Sequence, residues 1–252
     1  MSKPISVQLY SVRDEAAKDF FGVLKKIASF GYVGVETAGL HGKTPAEVRK
    51  ALDDLGLVCS SGHMGNANKD NLNEIVDTAK TLGMQIVIGG YGPDEFKTAD
   101  GIKKSAAQFQ ASAELLAPHG LKQCYHNHWW EFETIDGQYG LELFLKLAPG
   151  VVSELDTYWA TNFGAVDTPK VLARIAGRVP LLHIKDGPLV KDQHHLAVGA
   201  GKMDFKAVIG AADPKVLQWL VVELDSCATD MMTAVKASAE YLVKSGLGKR
   251  RK

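Results

Sequence analysis

Short apolar runs alternate with longer stretches of helical period along the whole chain. Runs at 5–10, 33–36, 57–61, 85–89, 121–127, 151–156, 180–185 and 218–225 are rich in Val, Ile and Leu, as buried strands are. Between them the period changes. Residues 17–30 carry Phe20, Phe21, Leu24, Ile27 and Ala28 at helical spacing and stop at Gly31. Thr44-Pro45-Ala46-Glu47 offers an N-cap, a proline at the first helical position and a Glu at N3, the pattern of a capping box. Stretches at 72–82, 101–116, 141–147, 168–175, 204–211 and 231–242 complete the helical set. Strands joined by helices pair in parallel through right-handed crossovers. Eight such units, with strand starts 24 to 38 residues apart, predict an α/β fold of the (β/α)8 TIM-barrel type. A doubly wound open sheet is the alternative. Its nucleotide-binding form expects a glycine-rich first turn, and Tyr10-Ser11-Val12-Arg13-Asp14 contains no glycine. With no linker or low-complexity tract, one barrel domain over residues 1–252 is expected, ending in a frayed basic tail at 249–252.

Composition narrows the function classes. Lys plus Arg and Asp plus Glu each total 29, so a nucleic-acid partner held by bulk charge is not expected. The 3 cysteines are widely spaced and form neither a disulfide framework nor a CxxC motif, which suits free thiols in a reducing cytosol. No apolar run approaches the roughly 18 residues that would span a bilayer, and the first residues lack a signal-peptide core. A cytoplasmic protein without a membrane partner is the expectation.

A parallel barrel places its reactive groups at the C-terminal ends of its strands. Those ends carry Gln8, Arg13 and Asp14; Glu36; His63; Tyr91; His126, His128 and Glu131; Glu154 and Asp156; His183, Lys185 and Asp186; and Glu223 and Asp225. Taken singly, each acid could be a helix cap or a surface group, and each histidine a hydrogen-bonded edge residue. Convergence changes the odds. Glu131, Asp156, His183 and Glu223 would face one another across the mouth, and three carboxylates that close repel unless some stay protonated or a cation joins them. An oxygen-rich set with one imidazole and no thiolate suits Mn²⁺, Mg²⁺ or Co²⁺ better than a structural zinc, with Zn²⁺ an alternative. In Glu154-Leu155-Asp156 and Glu223-Leu224-Asp225 the two acids share a strand face, so one of each pair sits deeper or supports the other.

The runs YHNHWWEF, LDTYWA, LLHIKDG, VGAGKMDF and VVELD resemble, in order and spacing, the xylose-isomerase-like TIM-barrel superfamily. That group includes ketose 3-epimerases, hydroxypyruvate isomerase, inosose dehydratase and, more distantly, endonuclease IV, and the likeness covers nearly the whole chain. It implies one divalent metal, manganese first, held by Asp156, His183 and Glu223 together with a fifth-strand acid. In the His-x-His branch that acid is Glu131, with Glu133 as the alternative. It further implies Glu131 and Glu223 as an acid–base pair for proton transfer beside a carbonyl through an enediolate, with Lys185 polarising a substrate oxygen or acting as a competing base. Glu36, His63, His126, His128 and Trp159 become expected contacts to a sugar substrate. At most one of Trp129 and Trp130 should face it, and Trp219 should be core. The leading reading is a sugar isomerase or epimerase. A metal-dependent lyase (a dehydratase or eliminase acting on a keto-sugar or keto-glycoside), an endonuclease IV-like nuclease and a non-catalytic sugar-binding protein are the alternatives, and homo-oligomerisation is left open.

Overall fold

The computed structural model describes residues 2–251. Eight parallel strands form its main sheet: β1 (Lys3–Gln8), β2 (Gly34–Ala38), β3 (Val58–His63), β4 (Ile86–Gly89), β5 (Lys122–His126), β6 (Val152–Asp156), β7 (Leu181–Ile184) and β8 (Trp219–Val222). Each pairs with its chain neighbour, and β8 pairs back onto β1 through Ile5–Leu220, Ser6–Val221 and Val7–Val222, closing the barrel. Eight helices form the outer layer: α1 (Arg13–Ser29), α2 (Pro45–Leu55), α3 (Leu72–Leu82), α4 (Ala99–Leu116), α5 (Gly140–Leu147), α6 (Thr168–Ile175), α7 (Phe205–Gly210) and α8 (Met231–Lys244). The expected TIM barrel is therefore present. The capping box forms as well: Thr44 Oγ1 accepts from the Glu47 N–H while Glu47 Oε2 accepts from the Thr44 N–H. No described helix is long and apolar enough to cross a membrane.

The core has two parts. A large apolar layer lies between strands and helices, including Val7, Val35, Val87, Tyr125, Leu155, Leu182 and Val222. A small separate cluster of Ile86, Ile88, Cys124 and Leu181 shares its strand faces with His126 and His183. Alternation along a strand puts residues two apart on one side, so this cluster is the apolar floor beneath the polar residues of the barrel mouth. Trp219 packs half-buried against it, in line with the core role expected of it.

Three local features depart from the sequence reading. The first strand stops at Gln8, because Gln8 Oε1 accepts from the Tyr10 N–H and turns residues Leu9–Val12 into a 3₁₀ helix. A hairpin, Thr134–Ile135 with Gln138–Tyr139, follows the fifth strand, its turn made by Asp136 (φ 51°) and Gly137 (φ 80°). An Asp-Gly pair with both residues left-handed is the favoured two-residue hairpin turn, so the signal was present in the sequence. The expected frayed tail is also corrected: Gly248–Lys249 pairs in parallel with Lys3–Pro4, and the Arg251 N–H donates to the Gly31 carbonyl. Backbone pairing, to which the basic side chains gave no clue, holds that end; Lys252 lies outside the described residues.

Candidate metal centre and active site

His126, Asp156, His183 and Glu223 are all buried, and one ligand atom from each lies within 4.8 Å of the others. Strand register brings them together: Asp156 is paired with His183 across β6 and β7, and His126 with Glu154 across β5 and β6. Asp156 Oδ1 accepts the Tyr158 and Trp159 N–H groups at 3.0 and 2.9 Å, which fixes the carboxylate. Its Oδ2 is buried and accepts no well-aligned hydrogen bond, although Lys185 Nζ lies 2.9 Å away. Glu223 Oε2 sits 2.9 Å from His183 Nδ1 and 2.7 Å from Lys185 Nζ. Lys185 is itself buried and donates to Asp225 Oδ2 at 2.8 Å, so one ammonium serves three carboxylates.

Beneath this set lies a second layer. His183 Nε2 is 2.8 Å from Glu36 Oε1 and 3.1 Å from Glu154 Oε1, while His126 Nδ1 is 3.1 Å from Glu154 Oε2. Glu154 thus spans the inner nitrogens of both histidines and fixes their ring planes, the supporting role that carboxylates play behind metal-bound imidazoles. His63, His126, Glu154 and His183 also meet as a group of possible ligands. There, however, His63 and Glu154 point at one another and at Glu36, and His63 Nε2 is 3.0 Å from Glu36 Oε1.

Electrostatics follow from burial and crowding. Burial raises the Glu154 carboxyl, and adjacent Glu36 adds to the shift. Burial also pushes against ionisation of Glu36 and Glu223. His183 and His63 outweigh it at Glu36, and Lys185 and His183 at Glu223, so both carboxyls are held well below the usual range. His183 shows the converse: burial disfavours its charge, but Glu154, Glu36 and Glu223 drive it well above an ordinary imidazole. Burial keeps His126 neutral, which leaves it a free ring nitrogen. Asp156 Oδ2, which accepts no well-aligned hydrogen bond, the neighbouring Glu223 carboxylate and a neutral imidazole would suit a divalent cation, whose binding would displace the proton between His183 and Glu223.

The expected residues divide clearly. The structure brings Asp156, His183, Glu223 and Lys185 together but leaves Glu131 out, which corrects its expected place among the ligands and as a catalytic group. Glu131 is fully buried; its Oε1 accepts from Tyr125 Oη (2.7 Å) and its Oε2 from the His128 N–H (2.9 Å). Tyr125 points outward into the Phe96, Phe109 and Phe144 cluster, whereas the next residue, His126, points inward. The 3₁₀ turn Trp130–Phe132 folds Glu131 back onto that outer side. Glu133 is exposed. His126 stands in the fifth-strand position that sequence reasoning gave to the acid. The alternation of Cys124 and His126 along β5 was the signal that could have found it.

Burial raises the Glu131 carboxyl to about 8, against its hydrogen bonds. Its folded pKa therefore exceeds its unfolded one. The stability this contributes is complete below about pH 4.5 and is lost as pH rises toward 8. Glu131→Gln, which cannot ionise, should gain on the wild type over that interval. Its melting temperature relative to wild type is expected to rise by roughly 10 °C between pH 5 and pH 8 in scanning calorimetry. An unchanging difference would show that Glu131 is ionised throughout.

Among the expected substrate contacts, His63, His126 and His128 line a cavity of about 380 Å³ at the mouth, together with Gln8, Tyr10, Glu223 and Asp225. Glu36 does not reach it. It is fully buried, held by Gln8 Nε2 at 2.7 Å and by Ser61 Oγ, because a register shift between Val35 and Glu36 sets it opposite Ser61. The expectation that Glu36 contacts substrate is thereby corrected to a supporting role. His128 stacks on Trp130, with ring centroids 4.3 Å apart, leaving Trp129 to line a neighbouring cavity with Trp159. Gly199 and Gly201 spend their N–H groups on the Asp186 carboxylate, which also accepts from Gly187 and Met203. This organises the loop after β7 and leaves no phosphate grip there.

Residues 24–245 match the family model of xylose isomerase-like TIM barrels. A sugar phosphate isomerase/epimerase from Parabacteroides distasonis superposes with a TM-score of 0.79 at 26% identity, over 99% of this chain and 96% of that one. An L-ribulose 3-epimerase gives 0.71 at 18% identity, over 98% and 95%. The IOLI protein, solved with a binding zinc atom, gives 0.73 at 15% identity, over 96% and 97%. At the lower identities the likeness is one of fold. No curated protein matches the sequence.

Proposed function

The chain belongs to the xylose isomerase-like TIM-barrel family, and on that premise we propose that it is a metal-dependent sugar isomerase or epimerase. The observation that carries this reading is the buried convergence of His126, Asp156, His183 and Glu223, two of which, His126 and Glu223, line an open cavity. These four residues would hold one divalent ion, with Mn²⁺ the first candidate and Mg²⁺, Co²⁺ and Zn²⁺ alternatives. When bound, such an ion draws electron density from a substrate carbonyl and makes the neighbouring C–H acidic.

The protein side of the reaction follows from the contacts. Glu223 is anionic, lines the cavity and presents its carboxylate as the base that takes a proton from the carbon beside the carbonyl. Lys185, 2.7 Å from it, stays protonated, because Asp156, Asp225 and Glu223 outweigh its burial. Its charge steadies the enediolate oxygen and keeps Glu223 a weak enough base to return the proton to the neighbouring carbon, which completes an isomerisation; an epimerisation needs the proton delivered to the opposite face instead. His128, kept neutral by burial with its pKa lowered to about 4, donates to or accepts from a hydroxyl without adding charge. Glu154 holds both histidines in register throughout.

Solvent deuterium uptake into keto-sugars tests the reading. Mn²⁺-loaded protein should exchange a proton beside the carbonyl, and chelation should abolish it. His126→Ala should weaken Mn²⁺ binding by at least about 100-fold, above the 10–100-fold typical of a supporting residue. Metal-independent exchange, or undiminished Mn²⁺ affinity in that variant, would overturn the assignment.

A further inference from the structure

The geometry points to a second sugar-binding subsite beside the reaction centre, so that the substrate is a keto-glycoside with two rings; this rests on the reading of the centre given above. A cavity of about 360 Å³ is walled by Trp129, Tyr158, Trp159 and Phe163, with His195 and Asp225 among its polar groups. Asp225 also lines the reaction cavity, so the two spaces share a wall. Lys185 belongs to the same partition, 2.8 Å from Asp225 Oδ2 and 5.3 Å from the centre of the Trp159 ring. A ring lodged in the aromatic space stands on the far side of that pair from Glu223. It can be held there but not deprotonated there.

Two independent features mark the space as built for a ligand. Phe163 has φ of +56°, a left-handed conformation that a bulky residue adopts only at a cost. The strained backbone sets the Phe163 ring between Trp129 and Trp159, with centroids 5.7 and 6.0 Å away. The second feature is an imbalance of donors. His195 is 2% exposed, and its Nδ1 accepts the Asp225 N–H at 3.1 Å, so its one remaining proton is on Nε2. Burial keeps the ring neutral. That buried Nε2–H finds no acceptor, and neither does Trp159 Nε1–H.

Aromatic faces cover the C–H side of a pyranose, and N–H donors take its hydroxyl oxygens. A plain aryl group would fill the walls and leave both donors unpaired. A sugar ring answers both.

Calorimetric titration of Mn²⁺-loaded protein with cellobiose, maltose, lactose and trehalose, against glucose and galactose, tests this. At least one disaccharide should bind about tenfold more tightly than its constituent monosaccharides. Phe163→Ala should erase that margin. Trp159→Phe, which keeps a ring and loses the donor, should reduce it in part. Equal affinity for disaccharides and monosaccharides, or an undiminished margin in Phe163→Ala, would overturn the subsite. Disaccharide preference without Mn²⁺-dependent deuterium exchange would keep the sugar subsite and reject the chemistry of the centre, so the two failures are distinct.

Discussion

Glu223→Gln is expected to slow metal-dependent deuterium uptake into a keto-sugar by about 10²–10⁴-fold, the range for losing a positioned general base. The substitution changes little in shape. It removes the negative charge that Lys185 and His183 hold at 2.7 and 2.9 Å, and with it the capacity to accept a proton. Some of the loss could come from weaker metal binding, so the measurement belongs at Mn²⁺ concentrations that saturate the variant. Under those conditions a residual deficit reports proton transfer alone. Glu131→Gln is the control, since both of its oxygens face Tyr125 and the His128 backbone. Its exchange rate should stay within about threefold of wild type, the scatter expected of a change that touches no reacting atom. Should Glu131→Gln lose exchange as heavily as Glu223→Gln, the two-carboxylate reading of the sequence would return.

Much of the barrel was legible because its signals are local and repeated. Val, Ile and Leu runs alternating with helical stretches located all eight strands, and Thr44-Pro45-Ala46-Glu47 announced its helix. Strand ends also placed Asp156, His183, Lys185 and Glu223 at one mouth, since a closed sheet leaves them nowhere else to point. What sequence could not give was depth and facing. Glu36 reads like a mouth residue until the shift at Val35 seats it under Gln8 and His183. Glu131 reads like a ligand until a single 3₁₀ turn carries it to the outer face of β5. Each error arises where a residue leaves the regular period of a strand, because a bulge or a tight turn reassigns side-chain direction without changing composition. Lys185 hid a different kind of information: its position was plain, but its three carboxylate partners come from the ends of two other strands and appear only in three dimensions.

Those partners make Lys185→Met the second large effect. The lysine is buried between Asp156 Oδ2 and Glu223 Oε2, which are themselves buried, while Asp225 is a third exposed and contributes less. Removing one partner of a buried ion pair costs about 3–5 kcal/mol, because the remaining charge stays out of water without compensation. In a chain of this length that is a fall of roughly 10 °C in the melting temperature of metal-free protein. A divalent cation held by His126, Asp156, His183 and Glu223 would neutralise the same two carboxylates. The variant should therefore bind Mn²⁺ more tightly than wild type, since no ammonium competes for those oxygens, and ligand binding stabilises by about 2.7 kcal/mol at one hundred times its dissociation constant. Thermal denaturation across a Mn²⁺ series should show a larger metal-induced rise for Lys185→Met than for wild type, recovering much of the deficit while exchange activity stays low. A parallel rise in the two proteins would mean that lysine and metal do not share Asp156 and Glu223, and the ligand set would have to be redrawn around Glu154 and His63.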